Sequence, residues 1–188
     1  MTLLLFRLRI WEQVSEFSDT IKKMKKLIFV RHGRAEDPAS EITDFERSLT
    51  LKGKSISKLM ARELRKKEKT PGLMITSPAF RALETAYIFA GEFGIEPEKI
   101  IVHSNLYYKM NFHYLPKVLS IAGDDNDSVI LFGHNPSFSE IADSLCKGGC
   151  DYMPKCGIVA ISFNINKWTD LKHNTGKMEF YLKPEQLL

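Results

Sequence analysis

Hydrophobic positions along this chain fall into two rhythms. Continuous apolar runs occur at Leu27-Ile28-Phe29-Val30, at Leu73-Met74-Ile75 before Thr76, and at Val129-Ile130-Leu131-Phe132. Runs this short and this apolar predict strands buried on both faces. Between them the spacing changes to three and four residues, the period of a helix with one buried stripe. Ile56, Leu59, Met60 and Leu64 follow Ser48-Leu49-Thr50, which offers a cap, and Arg65, Lys66, Lys67 and Lys69 gather where a helix C-terminus favours cations. Leu83, Ala86, Ile88 and Phe89 follow Ser77-Pro78, a predicted cap and first helical residue, and this helix should stop near Gly91 or Gly94. Phe138, Ile141, Ala142 and Leu145 follow Asn135-Pro136, with Asn135 the predicted cap.

The remaining segments complete the series. Residues 34–47 are mostly polar and read as a surface loop carrying Glu36, Asp37, Glu41, Asp44 and Glu46. Residues 99–103 form a candidate third strand, 111–122 a helix starting close to Pro116, and 123–127 a turn. Residues 157–165 and 178–182 read as a closing antiparallel pair joined by a polar turn. Strands alternating with helices predict an α/β domain: a three-layer sandwich with a mostly parallel central sheet and helices on both faces.

Residues 1–23 behave differently. Leu3, Phe6, Ile10, Val14, Phe17 and Ile21 could line one face of a helix. Two readings stay open: a docking helix, or an upstream extension ahead of a natural start at Met24. The expected organisation is therefore an N-terminal extension over 1–23 and one domain over 24–188.

Composition narrows the functional classes. In 188 residues no apolar run approaches the roughly 20 needed to span a bilayer, and Arg7 and Arg9 interrupt the patch at Leu3-Leu4-Leu5-Phe6. Neither a membrane span nor a secretory signal is expected. Cys146, Cys150 and Cys156 are an odd number, which suits free thiols in a reducing cytoplasm, and they have no fourth cysteine or suitably spaced histidine to hold a metal. The net charge of +4 looks basic until it is divided. Residues 1–26 hold six Lys/Arg against three Asp/Glu, which leaves 21 against 20 for the rest. No concentrated basic stripe marks a nucleic-acid surface.

Candidate chemistry sits just past the apolar runs. The first delivers Arg31, His32 and Gly33; the second Ser77 and then Arg81; the third Gly133, His134 and Asn135. Parallel strands place their C-terminal ends on one sheet edge, so these groups can converge. Arginine presents a planar, permanently charged fork that suits phosphate oxygens. A histidine with one nitrogen held by a carbonyl has the other free to attack phosphorus, and a second histidine can donate to the phosphoryl oxygens. Such a design needs no metal and no cofactor.

Three segments carry a resemblance: Val30-Arg31-His32-Gly33, then Thr76-Ser77-Pro78-Ala79-Phe80-Arg81-Ala82-Leu83-Glu84-Thr85-Ala86, then Gly133-His134-Asn135. Together they resemble the histidine phosphatase superfamily, which includes the phosphoglycerate mutases. Their short spacing, with Glu46-Arg47-Ser48-Leu49-Thr50-Leu51-Lys52-Gly53, resembles its compact SixA-type phosphohistidine phosphatase branch. The similarity spans roughly residues 25–163. It implies a phosphoglycerate mutase-like fold and a hydrolase in which His32 is transiently phosphorylated. Arg31, Arg81 and His134 would complete the phosphate pocket, with Arg47 approaching it and Asn135 beside it.

Larger relatives carry a glutamate that protonates an alkoxide leaving group. The matching region here, His103-Ser104-Asn105-Leu106-Tyr107-Tyr108-Lys109, has no carboxylate. Cleaving the P–N bond of phosphohistidine is less demanding than alkoxide departure. The expected substrate is therefore phosphohistidine on a protein, acted on in the cytoplasm. Two alternatives stay open: a phosphatase of small phosphate esters drawing a proton from Glu36, Asp37 or Glu41, and a phosphate-binding module without turnover.

Overall fold

The computed structural model describes residues 24–38, 41–68, 72–108, 110–146 and 148–187. The expectations for residues 1–23 lie outside the described residues. One six-stranded sheet organises the rest. In chain order the strands are β1 (Met24–Arg31), β2 (Leu73–Thr76), β3 (Ile101–Val102), β4 (Ser128–Gly133), β5 (Ile158–Asn164) and β6 (Lys177–Leu182), arranged spatially as β3-β2-β4-β1-β5-β6. The pairings β3–β2, β2–β4 and β4–β1 are parallel, while β5 runs antiparallel to both β1 and β6. The sheet is thus mixed, parallel on the side that carries the candidate residues.

The central strands are apolar because both faces are covered. Leu27, Phe29, Val129 and Leu131 face a cluster built with α3 (Asn105–Tyr108), α4 (Leu115–Leu119) and α5 (Ser137–Leu145). Ile28, Val30, Ile130 and Phe132 face α1 (Leu51–Lys67) and α2 (Phe80–Phe93). Leu27 to Val30 are fully buried, worth about 1.5–3 kcal/mol for each side chain. The three-layer α/β architecture follows directly. Among the described residues no helix is long and apolar enough to cross a membrane.

Several boundaries differ from the sequence-based expectation, each for a local reason. Helix α1 starts as expected, with the Thr50 hydroxyl accepting from Gly53 N–H. Helix α2 begins at Phe80 rather than Pro78, with the Ser77 hydroxyl accepting from Ala79 N–H at 3.3 Å while it also pairs with His134, and it ends at Gly94 in the left-handed conformation (φ 70°) that glycine adopts freely. Helix α5 begins at Ser137, and Asn135 does not cap it: its Nδ2 donates to Met153 O at 3.0 Å and its Oδ1 accepts no backbone N–H. The helix expected over 111–122 is one short α-turn flanked by 3-10 turns, with Asn111 Oδ1 accepting from Tyr114 N–H. β3 shrinks to two residues.

Candidate active site

Backbone pairing brings the strand ends together. Arg31 is in register with Gly133 across β1–β4, and Thr76 with Phe132 across β2–β4. The next residue in each case is still held by the ladder: His32 N–H donates to Gly133 O at 3.0 Å, and Ser77 N–H to Phe132 O at 2.9 Å. His32, Ser77 and His134 therefore leave the same sheet edge side by side. Gly133 is small of necessity, since a Cβ there would lie 2.5 Å from the Phe138 ring that packs under the edge.

The two imidazoles face one another with ring centroids 4.9 Å apart. His32 is buried, and its Nδ1 lies 2.7 Å from Gly33 O. A carbonyl can only accept, so Nδ1 carries the hydrogen and Nε2 keeps its lone pair. Burial, followed by repulsion from His134 where that ring is protonated and from Arg81 and Arg31, holds the His32 pKa well below the ordinary imidazole range, although the Gly33 carbonyl pulls the other way. His134 Nε2 pairs with the Ser77 hydroxyl at 2.8 Å. Burial, then the Arg81 charge, lowers His134 to about 3. Both rings are neutral near pH 7.

The two arginines near this pair are anchored by different segments. Arg31 Nη1 donates to Tyr152 Oη at 2.8 Å and Met153 O at 2.7 Å, and its guanidinium lies 5.2 Å from the Tyr152 ring centroid. Arg81 is 7% exposed, and its two terminal nitrogens grip the backbone carbonyl and the carboxylate of Asp44, the latter at 2.8 Å. Arg47 reaches the same carboxylate at 2.7 Å while its Nε donates to Glu36 O. Burial pushes Asp44 upward, but hydrogen bonds from Arg81 and Arg47 outweigh it and hold the acid at about 2.

Three buried side-chain atoms without a hydrogen-bond partner gather here: Arg31 Nε, His134 Nδ1 and Asn135 Oδ1. Leaving a buried polar atom unpaired costs about 1–3 kcal/mol, so these atoms are unfavourable until a polar partner, water or ligand, reaches them. A cavity of about 460 Å³ opens alongside, sharing Asn135 and Tyr152.

Of the residues singled out in the sequence, Arg31, His32, Arg81 and His134 converge. Asn135 sits at the edge of that group, tied to Met153, and Arg47 joins it through Asp44. Glu36, Asp37 and Glu41 are exposed, and the carboxylate that touches the arginines is Asp44 instead. Sequence reasoning left Asp44 on a polar loop. It also passed over Tyr107, whose hydroxyl donates to Asp44 at 3.2 Å and whose ring meets that of His134 edge-on at 5.5 Å. Tyr152 and Met153, which anchor Arg31, lie in a segment that showed no signal.

The family model of the histidine phosphatase superfamily (branch 1) matches residues 27–106. An uncharacterized protein of Picosynechococcus sp. is 30% identical over 141 residues, covering 72% of this chain and 84% of that protein. Solved structures share the fold. The protein histidine phosphatase SixA complexed with tungstate superposes with a TM-score of 0.71 at 22% identity, over 87% of this chain and 99% of its own. A candidate SixA phosphohistidine phosphatase of Agrobacterium tumefaciens gives 0.68 at 23%, over 85% and 98%. Mycobacterial glucosyl-3-phosphoglycerate phosphatase in complex with inorganic phosphate gives 0.62 at 14%, over 86% and 99%.

Proposed function

The chain belongs to the histidine phosphatase superfamily and is a phosphatase, and from that premise we propose that it removes the phosphoryl group from phosphohistidine on a protein through a phospho-His32 intermediate. The observation that carries this reading is the fixed tautomer of His32. Its Nδ1 hydrogen is given to Gly33 O, which leaves the lone pair on Nε2, in a ring whose centroid lies 4.9 Å from that of a second neutral histidine. Nε2 attacks phosphorus, a new P–N bond forms to His32, and the bond to the substrate nitrogen breaks. Water then attacks the phospho-enzyme, releasing inorganic phosphate and restoring the free imidazole. Arg31 and Arg81 hold the phosphoryl oxygens as their charge redistributes. With Ser77 donating to Nε2, His134 would present its Nδ1 hydrogen to one of those oxygens.

The substrate reading is supported by what the pocket cannot donate. An alkoxide needs a proton as it departs, and the carboxylate nearest the arginines, Asp44, is ionised far below neutral pH. The imidazole leaving group of phosphohistidine makes a smaller demand. The neighbouring cavity has room for the residues flanking a phosphorylated side chain. Charge stabilisation comes from guanidinium groups, so we take the reaction to be metal-independent, carried by residues 24–188.

His32→Ala should lower turnover of a phosphohistidine peptide by on the order of 10⁴-fold or more and abolish labelling of the protein by substrate phosphate, with the far-UV circular dichroism unchanged. Wild-type rates in that variant would end the proposal. EDTA should leave the wild-type rate unchanged, and a loss that a divalent metal restores would contradict metal independence. A panel that also contains sugar phosphates and nucleotides separates phosphohistidine from small esters.

A further inference from the structure

We propose that Asp44 is a positioning residue, a single carboxylate that holds Arg81 and Arg47 as a pair and aims Arg81 at the phosphoryl group. This role rests on phosphate binding by Arg81, as proposed above. Arg81 projects from the first turn of α2 into a nearly closed environment, and both of its side-chain hydrogen bonds end on Asp44. The same carboxylate accepts from Arg47 Nη1 at 2.7 Å and from Tyr107 Oη at 3.2 Å. One negative charge thus binds two guanidinium groups that would otherwise repel each other, and the pair keeps a net positive charge for a phosphoryl dianion. Arg81 grips Asp44 with its terminal nitrogens, so its remaining N–H groups are held in a fixed plane.

The turn that carries Asp44 is over-determined. The Glu46 carboxylate accepts from both the N–H and the hydroxyl of Thr43, at 3.0 and 2.6 Å. Phe45 packs between Phe80 and Tyr107, with ring centroids 5.9 and 5.4 Å away. Arg47 Nε is tied to Glu36 O at 2.7 Å, and Ala35 bridges to Leu49 just beyond. A carboxylate that competed with substrate for Arg81 would have to swing aside; its own bonds to Arg47 and Tyr107 oppose that, while the surrounding contacts fix the backbone that carries it. A rigid turn instead orders Arg81 before the substrate arrives, which is the condition for strong electrostatic stabilisation.

The test measures inorganic phosphate binding by calorimetry, together with kcat and KM on a phosphohistidine peptide. The proteins compared are wild type, Asp44→Asn, Asp44→Ala, Arg81→Ala and the double variant Asp44→Ala/Arg81→Ala. Asp44→Ala should weaken phosphate binding about tenfold, with KM raised more than kcat is lowered. Asp44→Asn keeps the shape and one of the two acceptor oxygens and should lose less. The loss in the double variant should fall well short of the sum of the two single losses, because aiming Arg81 is the main route by which Asp44 acts. Tighter phosphate binding in Asp44→Asn would make the carboxylate a competitor and overturn the proposal, as would additive losses in the double variant. Failure of the phosphatase reading is distinguishable: wild-type protein would then neither bind phosphate nor turn over any phosphorylated substrate, and both proposals would fall together.

Discussion

An imidazole attacks phosphorus only as the free base, so the surroundings of His32 set the acid limit of the reaction. Burial opposes its protonation, and repulsion from His134 where that ring is protonated, and from Arg81 and Arg31, adds to that effect. The ring is therefore neutral not only at pH 7 but well below 6.5. The acidic limb of kcat/KM, which reports the free enzyme, should lie clearly below pH 6.5, and a break at 6.5 or above would contradict the geometry. At this scale the sequence was informative where a residue directly follows an apolar run: Arg31, His32 and His134 stand out because the strand before each is unmistakable. Asp44 did not stand out. Its partners lie 3, 37 and 63 residues away, and only the last two separations reveal that the loop folds back over the site. No local pattern contains that information.

The elements show how closely the scaffold is fitted around the site. Helix α1 lies so tightly on the segment after His32 that a Cβ on Gly53 would stand 2.1 Å from Arg34 O. Helix propensity alone favours Gly53→Ala by up to about 1 kcal/mol. The overlap is with backbone, which cannot rotate away, so the substitution should destabilise by about 1–3 kcal/mol, read as a lower urea midpoint. Gly91, inside α2, is the internal control. A Cβ there meets nothing within 4 Å, so Gly91→Ala should stabilise by up to about 1 kcal/mol. Opposite signs for two helical Gly→Ala changes would separate packing from propensity, and equal signs would refute the close approach. Both helices were legible as elements because their buried stripes are regular. That one of their glycines touches a distant backbone was not, since a glycine in a helical pattern looks the same in either setting.

Across the whole molecule, the alternation of apolar runs and helical stripes was enough to anticipate a three-layer α/β fold and the sheet edge that gathers the polar residues. The weak points were elements too short for a periodic signal, such as two-residue β3 and the broken helix around Leu115–Leu119. The gathered site has a global consequence, because the native state keeps two histidines neutral that the unfolded chain would protonate. Unfolding frees His32 and His134 to take up protons near the ordinary value of 6.5, whereas native His134 does so only at about 3 and native His32 also well below 6.5. Between these limits the unfolded state binds more protons, so stability rises with pH and falls on acidification, by up to about 1.4 kcal/mol per pH unit for each such group. Asp44 contributes in the same direction at lower pH. Its acid is held at about 2 rather than 3.8, so its contribution is present above 3.8 and is lost as the pH falls through 2. Denaturant midpoints should therefore decline steadily from pH 6.5 downward, earlier than carboxylate protonation alone would allow. His134→Gln should flatten the decline between pH 6 and 4, because a glutamine has no proton to take up on unfolding. A wild-type midpoint that stays constant from pH 7 to 4, or a His134→Gln profile parallel to it, would mean that the buried histidine pair is not held neutral by the fold.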